Sequence, residues 1–300
     1  MFDTSPALDC NGRALTLDRP RVCGIINVTE DSFSGDGLGV DIDAAVAQGV
    51  AMVEQGADML DVGAESTRPG AAPVAEEAEV ARVVPVIAAL AERVHVPISV
   101  DTSKPEVMRA AVVAGAGFVN DVYALRRDGA LDAAAELKVP VCLMHMQGEP
   151  RTMQDHPHYD DVVGEVHRFL AERVFACEMA GIDKRRVLVD PGFGFGKTLE
   201  HNLALLRALE RFRDLAAGTL VGLSRKAMVG TLTGRAGGAG RAVGSAAAAM
   251  IAVQRGALVV RVHDVAATRD ALAVWAAVHA GDAAPKSAPA PFGSQRFEDD

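Results

Sequence analysis

Several features that define common protein classes are scarce in this 300-residue chain. Aromatic residues make up only 4% of it, with one tryptophan and two tyrosines. The apolar run nearest in length to a membrane span, residues 246–253, falls far short of the roughly 20 residues needed to cross a bilayer. The first 20 residues are polar and contain no basic start followed by an apolar stretch, which argues against a signal peptide. We therefore expect a cytoplasmic protein with no membrane segment.

Cysteine and positive charge are also in short supply. The four cysteines form no C-x-x-C pair, so a zinc knuckle or a dithiol redox motif is not predicted. Cys23 and Cys142 lie in apolar runs and are predicted to be small buried hydrophobic residues. The 30 basic residues are outnumbered by 40 acidic ones, which gives a net charge of −10. Nucleic-acid-binding proteins are usually basic, so we expect no nucleic-acid partner.

Apolar residues are abundant, at 49% of the chain, and many of them fall in eight short runs. These runs are too short for helices and lack the alternation of a sheet with one wet face. Continuous runs of this kind are typical of parallel strands that are covered on both sides. They span residues 22–27, 59–63, 98–102, 118–121, 141–145, 187–190, 220–224 and 258–263.

A helical pattern follows each apolar run. The patterns span residues 42–55, 75–91, 105–114, 131–137, 160–179, 199–212, 244–254 and 267–279. Eight strand–helix units within about 260 residues predict an α/β fold of the (β/α)8 TIM-barrel type. An open doubly wound sheet is the alternative, but it would need a topological switch that the sequence does not indicate. We predict an N-terminal arm or hairpin over residues 1–20, the barrel over 21–282 and a flexible tail over 283–300.

The predicted strands end in residues that carry charge or form hydrogen bonds, and these ends form the active site of such a barrel. Asp101, Asn120 and Asp190 suit a flat heterocycle with exocyclic amino and ring N–H groups. A second set is cationic and suits a phosphate group. It consists of Arg68, Lys226, Arg261 and His263. Asn27 offers a neutral oxygen for Mg²⁺ on a phosphate. Together they predict a nucleotide-like or pterin-like substrate with a phosphorylated leaving group.

Some motifs resemble other kinds of site but do not fit them. Residues 192–198 resemble a Walker A loop, yet the first glycine of that motif would fall at Pro191. The glycine-rich stretch 234–240 follows no strand, so we expect a flexible loop rather than a dinucleotide-binding turn. Ser224 has no evident His–Asp arrangement, so a hydrolytic triad is not predicted. His145 is expected to have a structural or wall role.

Long motifs at the strand ends resemble those of the dihydropteroate synthase family over residues 20–280. The motifs begin at Asn27 (NVTEDSF), Gly63 (GAESTRPG), Ser99 (SVDTSKP), Asn120 (NDV), Met144 (MHMQG), Asp190 (DPGFGFGK), Ser224 (SRK) and Arg261 (RVHD). The resemblance implies a TIM barrel, usually a homodimer, that needs Mg²⁺. It also implies the condensation of 6-hydroxymethyl-7,8-dihydropterin diphosphate with p-aminobenzoate, which gives 7,8-dihydropteroate and diphosphate for folate synthesis.

The resemblance also implies roles for individual residues. The pterin contacts would be Asp101, Asn120, Asp190 and Lys226, and the Mg²⁺ ligand would be Asn27. The diphosphate contacts would be Arg68, Arg261 and His263. The p-aminobenzoate wall would be Thr67, Pro69, Phe195 and the turn after Lys226. The catalytic set would be Asp101, Lys226, Arg261 and His263, with Asp101 stabilising the cation that develops as diphosphate leaves.

Three positions depart from the family pattern. Glu30 stands where a proline is usual, and Asp36 is displaced by one residue in the first loop. Ala227 replaces a serine whose hydroxyl would contact the p-aminobenzoate carboxylate. Two alternatives remain open: a pterin-binding barrel that presents a methylated folate to a corrinoid protein, and a non-catalytic paralogue that only binds pterin. The motifs at residues 67–69 and 224–226 favour the synthase over the first alternative.

Overall fold

A β-hairpin opens the part of the chain that the computed structural model describes, which comprises residues 7–29, 41–66 and 73–280. Its strands are β1 (Ala7–Cys10) and β2 (Arg13–Thr16), and they pair antiparallel with Cys10 opposite Arg13. The two-residue turn has positive φ angles at both positions, 57° at Asn11 and 81° at Gly12. Asparagine and glycine tolerate that conformation best, which explains why the chain reverses there.

Eight parallel strands follow the hairpin and close into a barrel. They are β3 (Arg21–Asn27), β4 (Met59–Gly63), β5 (Ile98–Asp101), β6 (Phe118–Asp121), β7 (Val141–Met144), β8 (Val187–Asp190), β9 (Gly218–Val221) and β10 (Val259–Val262). Each strand pairs with its neighbours in the sequence, and β10 pairs with both β9 and β3. The predicted (β/α)8 barrel is confirmed, and the eight apolar runs are its strands.

Helices cover the outside of the barrel. Within the described ranges they are α1 (Ile42–Glu54), α2 (Glu76–Arg93), α3 (Pro105–Val113), α4 (Ala130–Leu137), α5 (Val162–Met179), α6 (Leu199–Arg207), α7 (Ala227–Thr233), α8 (Ala242–Gln254) and α9 (Val265–Ala280). Two details differ from the sequence prediction. Helix α6 stops at Arg207 and a short 3₁₀ turn follows at Leu209–Phe212. Helix α7 was not predicted, because its seven residues are too few to show a period.

The lower part of the barrel interior, at the amino ends of the strands, is apolar and is closed by the hairpin. The inward-facing residues there are Cys23, Met59, Phe118, Cys142, Leu188, Leu220 and Val259. They pack against Leu8, Cys10, Leu15 and Leu17 of the hairpin segment. Arg13 fixes the hairpin by donating hydrogen bonds to the carbonyls of Val96 and Ala91, at 3.0 and 2.6 Å. Cys23 and Cys142 are buried free thiols, as predicted.

No single helix among the described residues is long and apolar enough to cross a membrane. One bent pair, Ala227–Thr233 with Gly238–Gln254, meets the length and composition criteria together.

Candidate active site

The upper part of the barrel interior is polar where the lower part is apolar. Residues two apart on a strand point to the same side, so each apolar residue of the lower layer is followed by an inward-facing residue nearer the carboxyl end. In four strands that residue is ionisable or an amide: Asp61, Asn120, Asp190 and Arg261. Asp101 ends β5 beside them. The closed barrel therefore brings together residues that are up to 200 positions apart in the chain.

Arg261 lies at the centre of this polar layer. Its Nη2 donates to Oδ2 of Asp101 at 2.7 Å, and its Nε donates to Oδ2 of Asp61. Asn120 donates from Nδ2 to the same Asp61 oxygen at 3.0 Å. Burial would lower the pKa of Arg261, but attraction to Asp61 and Asp101 outweighs burial and raises that pKa. The guanidinium is therefore fixed in its charged form between two carboxylates.

Asp61 is the residue of this layer that the sequence analysis missed. It lies in the middle of β4, is only 1% exposed, and sits within a run that otherwise looks like an ordinary apolar strand. Its Oδ1 has no hydrogen-bond partner among the described residues. A buried carboxylate requires a paired charge, and here Arg261 supplies it. A lone acid at an inward position of a buried strand was the available signal.

The two acids at the strand ends have altered acidities. Burial raises the pKa of Asp101 to about 7, with Arg261 opposing the rise and Asp61 adding to it. Burial also raises the pKa of Asp190, opposed by the Gly192 N–H and by Lys226. That N–H donates to Oδ1 of Asp190 at 2.7 Å. About a fifth of the Asp101 side chain is exposed, 19%, so a ligand in the barrel mouth can reach it.

Lys226 follows β9, the strand that pairs with the one ending at Asp190. Its Nζ lies 4.1 Å from the centre of the Phe195 ring and donates to the carbonyl of Phe193. Burial lowers the pKa of Lys226 to about 8, although Asp190 opposes the shift. The predicted pterin contact Lys226 and the predicted p-aminobenzoate wall Phe195 are therefore direct neighbours.

The backbone just before Lys226 is held in an unusual conformation. Arg225 has a φ of 58°, which is uncommon for a residue with a side chain. Its N–H donates to Oγ of Ser245 at 2.9 Å, its carbonyl accepts from Arg241 at 3.0 Å, and its Nε donates to Asp264 at 2.9 Å. These bonds keep the strained turn in place and so fix the start of α7.

Ser224 and His263 are in contact, which the sequence did not predict. The His263 N–H donates to Oγ of Ser224 at 3.1 Å, and Nδ1 of His263 lies 3.0 Å from the same oxygen. The acid next to this pair, Asp264, forms an ion pair with Arg225. The carboxylate of Asp264 is therefore engaged by the Arg225 guanidinium.

Asn27 ends β3, opposite Gly63 at the end of β4, and β4 in turn pairs with β5 at Asp101. Its partly exposed side chain forms no hydrogen bond with another described residue. One neutral oxygen at the barrel mouth fits Mg²⁺, which keeps most of its waters and binds phosphate oxygens. Among the residues that the structure describes, no cluster of three or more His, Cys, Asp or Glu residues could hold a metal by itself.

Other predicted positions lie outside the described residues: Thr67, Arg68, Pro69, Glu30, Asp36 and the tail over 283–300.

Comparison with known proteins agrees with this geometry. Residues 23–263 match the family described as pterin binding enzyme. The dihydropteroate synthase of Escherichia coli (strain K12) is 51% identical over 267 residues, which cover 89% of this chain and 94% of that protein. The chain belongs to the dihydropteroate synthase family.

Solved structures in this family superpose closely on the chain. The Xanthomonas albilineans dihydropteroate synthase with 4-aminobenzoic acid has a TM-score of 0.88 and 62% sequence identity, and covers 92% of this chain and 99% of its own. The same enzyme in complex with 7,8-dihydropteroate has a TM-score of 0.84 and 59% identity, with the same coverage.

Proposed function

We propose that this chain condenses 6-hydroxymethyl-7,8-dihydropterin diphosphate with p-aminobenzoate to give 7,8-dihydropteroate and diphosphate in folate biosynthesis. The observation that carries the proposal is the polar layer in the barrel mouth, where Asp101, Asn120 and Asp190 surround Arg261 and face Lys226. Family membership agrees with the same reaction. We further propose that the enzyme works as a cytoplasmic homodimer.

The pterin ring fits the acid and amide groups of this layer. Carboxylates accept hydrogen bonds from an exocyclic amino group and from ring N–H groups, and an amide can both donate and accept. Asp190 and Asn120 would bind the ring edge, while Lys226 donates to an acceptor on the ring. A site built to hydrogen-bond such a ring rejects analogues that lack those groups, because its buried polar groups would then be left unpaired.

The first chemical step breaks the bond between the exocyclic methylene carbon and the diphosphate oxygen. The electron pair leaves with diphosphate, and the dihydropterin ring delocalises the positive charge that develops. Asp101 stabilises that charge in its ionised form, and Arg68, Arg261 and His263 stabilise the departing anion. Bound Mg²⁺, for which Asn27 would be a ligand, would neutralise diphosphate charge.

The second step joins the amine nitrogen of p-aminobenzoate to the methylene carbon. An aromatic amine is neutral at pH 7, so no base has to deprotonate it before attack. The nitrogen loses a proton to solvent once the bond has formed. Thr67, Pro69 and Phe195 would orient the arylamine, and the positive charge of Lys226 over the Phe195 ring stiffens that wall.

The test is the release of diphosphate from the pterin substrate with and without p-aminobenzoate. The synthase requires release that depends on the arylamine and is matched by dihydropteroate formation. Pterin binding without any release would support the non-catalytic paralogue. Methyl transfer from a methylated folate to a corrinoid protein would support the other alternative. Light scattering of the intact chain tests the homodimer.

A further inference from the structure

The loop that resembles a phosphate-binding motif turns its lysine inward. Lys197 is only 3% exposed. Its Nζ donates to the carbonyl of Phe195 at 2.9 Å and to that of Gly192 at 3.0 Å. It also lies 2.9 Å from Nδ1 of His145. All three protons of the ammonium group therefore have partners within the protein.

The loop around Lys197 is pressed against the segment that follows β7. Gly192 and Gly196 have φ angles of 69° and 61°, which favour glycine. A side chain at Gly192 would overlap the carbonyl of His145, and one at Gly196 would overlap the carbonyl of Gln147. The hydroxyl of Tyr159 adds a hydrogen bond to the carbonyl of Gly196 at 2.9 Å.

The ionisation of His145 suits this arrangement. Burial, followed by the nearby charge of Lys197, lowers the pKa of His145 far below its ordinary value. The imidazole is therefore neutral at pH 7, and its Nδ1 can accept a hydrogen bond from Nζ of Lys197. Burial also lowers the pKa of Lys197, although Asp190 opposes that shift.

The loop connects Lys197 to the active site through Phe195. Lys197 holds the Phe195 carbonyl, and the ring of the same residue faces the Nζ of Lys226. Phe193 lies in the same loop, and its carbonyl accepts a hydrogen bond from Nζ of Lys226. Two lysines thus hold one loop from opposite sides, one from the protein interior and one from the substrate mouth.

We propose that Lys197 is a positioning residue that fixes the residue 192–196 loop and thereby sets the p-aminobenzoate wall at Phe195. The proposal rests on the proposed function for the identity of that ligand. Lys197 does not touch substrate, and it does not bind phosphate. Its loss leaves the Phe195 carbonyl and Nδ1 of His145 without this donor, while the Gly192 carbonyl keeps only its bond from the Phe195 N–H. The loop then relaxes away from its place beside Lys226.

The decisive experiment compares Lys197→Met with the unaltered enzyme in steady-state kinetics against both substrates. We expect the KM for p-aminobenzoate to rise roughly tenfold or more, since a buried acceptor without its donor costs that much. The pterin KM should change much less, because Asp101, Asn120 and Asp190 are held by the strands. Saturating p-aminobenzoate should restore most of kcat.

The control is Lys184→Met, which removes an exposed lysine just before the amino end of β8. It should leave both KM values unchanged. Partial unfolding alone would reduce kcat and leave both KM values as they were. A KM that rises for p-aminobenzoate but not for the pterin substrate therefore indicates lost positioning and not a loss of folded enzyme. An unchanged p-aminobenzoate KM in Lys197→Met would overturn the proposal, as would a rise confined to the pterin substrate.

A second variant covers the case in which Lys197→Met does not fold. Tyr159→Phe removes the hydrogen bond to Gly196 in the same loop and should raise the p-aminobenzoate KM by a smaller factor. An unchanged KM in that variant would then overturn the proposal. Calorimetric binding of p-aminobenzoate in the presence of diphosphate and Mg²⁺ gives a readout without turnover. If the unaltered enzyme releases no diphosphate, the proposed function fails. The calorimetric comparison of p-aminobenzoate affinity between the unaltered protein and the loop variants would still test the role of Lys197.

Discussion

Arg261 and Asp101 lie 160 positions apart in the chain, yet Nη2 of the one donates to Oδ2 of the other at 2.7 Å. The same guanidinium contacts Asp61, so one cation is shared by two carboxylates. With Asp190 and Lys226 added, the layer holds three acids and two bases. Its excess of negative charge suits a substrate whose methylene carbon becomes positive in the transition state.

Replacing Asp101 by asparagine removes the negative charge but keeps the shape and the ability to accept a hydrogen bond. We expect Asp101→Asn to lower kcat about 100-fold or more, which is the size of effect usual for one preorganised charge. Pterin affinity should fall far less. Kinetics and calorimetric pterin binding measure the two quantities. Equal losses in both would mean that Asp101 only binds. The control is Asp214→Asn, which changes an exposed acid.

The pH dependence of kcat/KM should be bell-shaped, with its maximum between about 7 and 8. The ionised form of Asp101 is needed, and because its pKa is raised to about 7, activity should fall as the pH drops through that value. The charged form of Lys226 is lost as the pH rises through about 8. In Lys226→Arg the guanidinium stays charged, so the alkaline decline should disappear. A flat profile from pH 6 to 9 would contradict these assignments.

Asp61 should control the acid limb of that profile. Its charge raises the pKa of Asp101, and it competes with Asp101 for Arg261. In Asp61→Asn both effects are removed, so the acid limb should move to lower pH. The carboxamide can still accept from Asn120, which keeps part of the packing. Thermal unfolding should show a loss of stability, because the buried pair with Arg261 is broken. A shift of the limb to higher pH would refute this electrostatic role.

The fold could be predicted because the barrel strands are encoded locally. Each strand is a continuous apolar run, as a strand covered on both faces requires, and each run ends close to a polar residue. Asn120, Asp190 and Arg261 could be placed at the mouth for the same reason. The sequence predicted less where the role of a residue depends on a contact with a residue distant in the chain. Asp61 has no local signal for its partner, which comes from the last strand of the barrel.

Two further relationships depend on packing that no local pattern reveals. Ser224 and His263 follow the adjacent strands β9 and β10. The pairing of those strands, with Val260 opposite Val221, sets the two residues level with each other, and they lie 3.0 Å apart. The inward direction of Lys197 follows from a loop with three glycines at positive φ, whereas its spacing resembles a phosphate loop. The partners of this lysine could not be read from its spacing, because they lie in the segment that follows β7 and in the backbone of its own loop.

The hairpin should contribute stability without taking part in chemistry. Leu15 is 2% exposed and packs with Met59 and Phe118 in the lower barrel. Leu15→Ala removes buried methyl groups at the closed end, which typically costs about 2–5 kcal/mol. Thermal or urea unfolding should show that loss. The kcat per folded enzyme at 25 °C should stay unchanged, since the polar layer lies at the opposite end. A fall in kcat with unchanged stability would contradict the separation of the two ends.

Asn27 presents a side chain without a hydrogen-bond partner among the described residues, at the mouth where diphosphate would lie. If it binds Mg²⁺, Asn27→Ala should raise the Mg²⁺ concentration needed for half-maximal activity by roughly tenfold, because metal sites lose about that much with a ligand or its support. Exhaustive chelation should abolish turnover in the unaltered enzyme, and added Mg²⁺ should restore it. The matched control is Asn202→Ala, since Asn202 is a buried amide that bonds Gly194 and Thr198 instead. That variant should keep the original Mg²⁺ requirement even if it is less stable. Activity that survives chelation, or an unchanged requirement in Asn27→Ala, would remove Asn27 from the metal site.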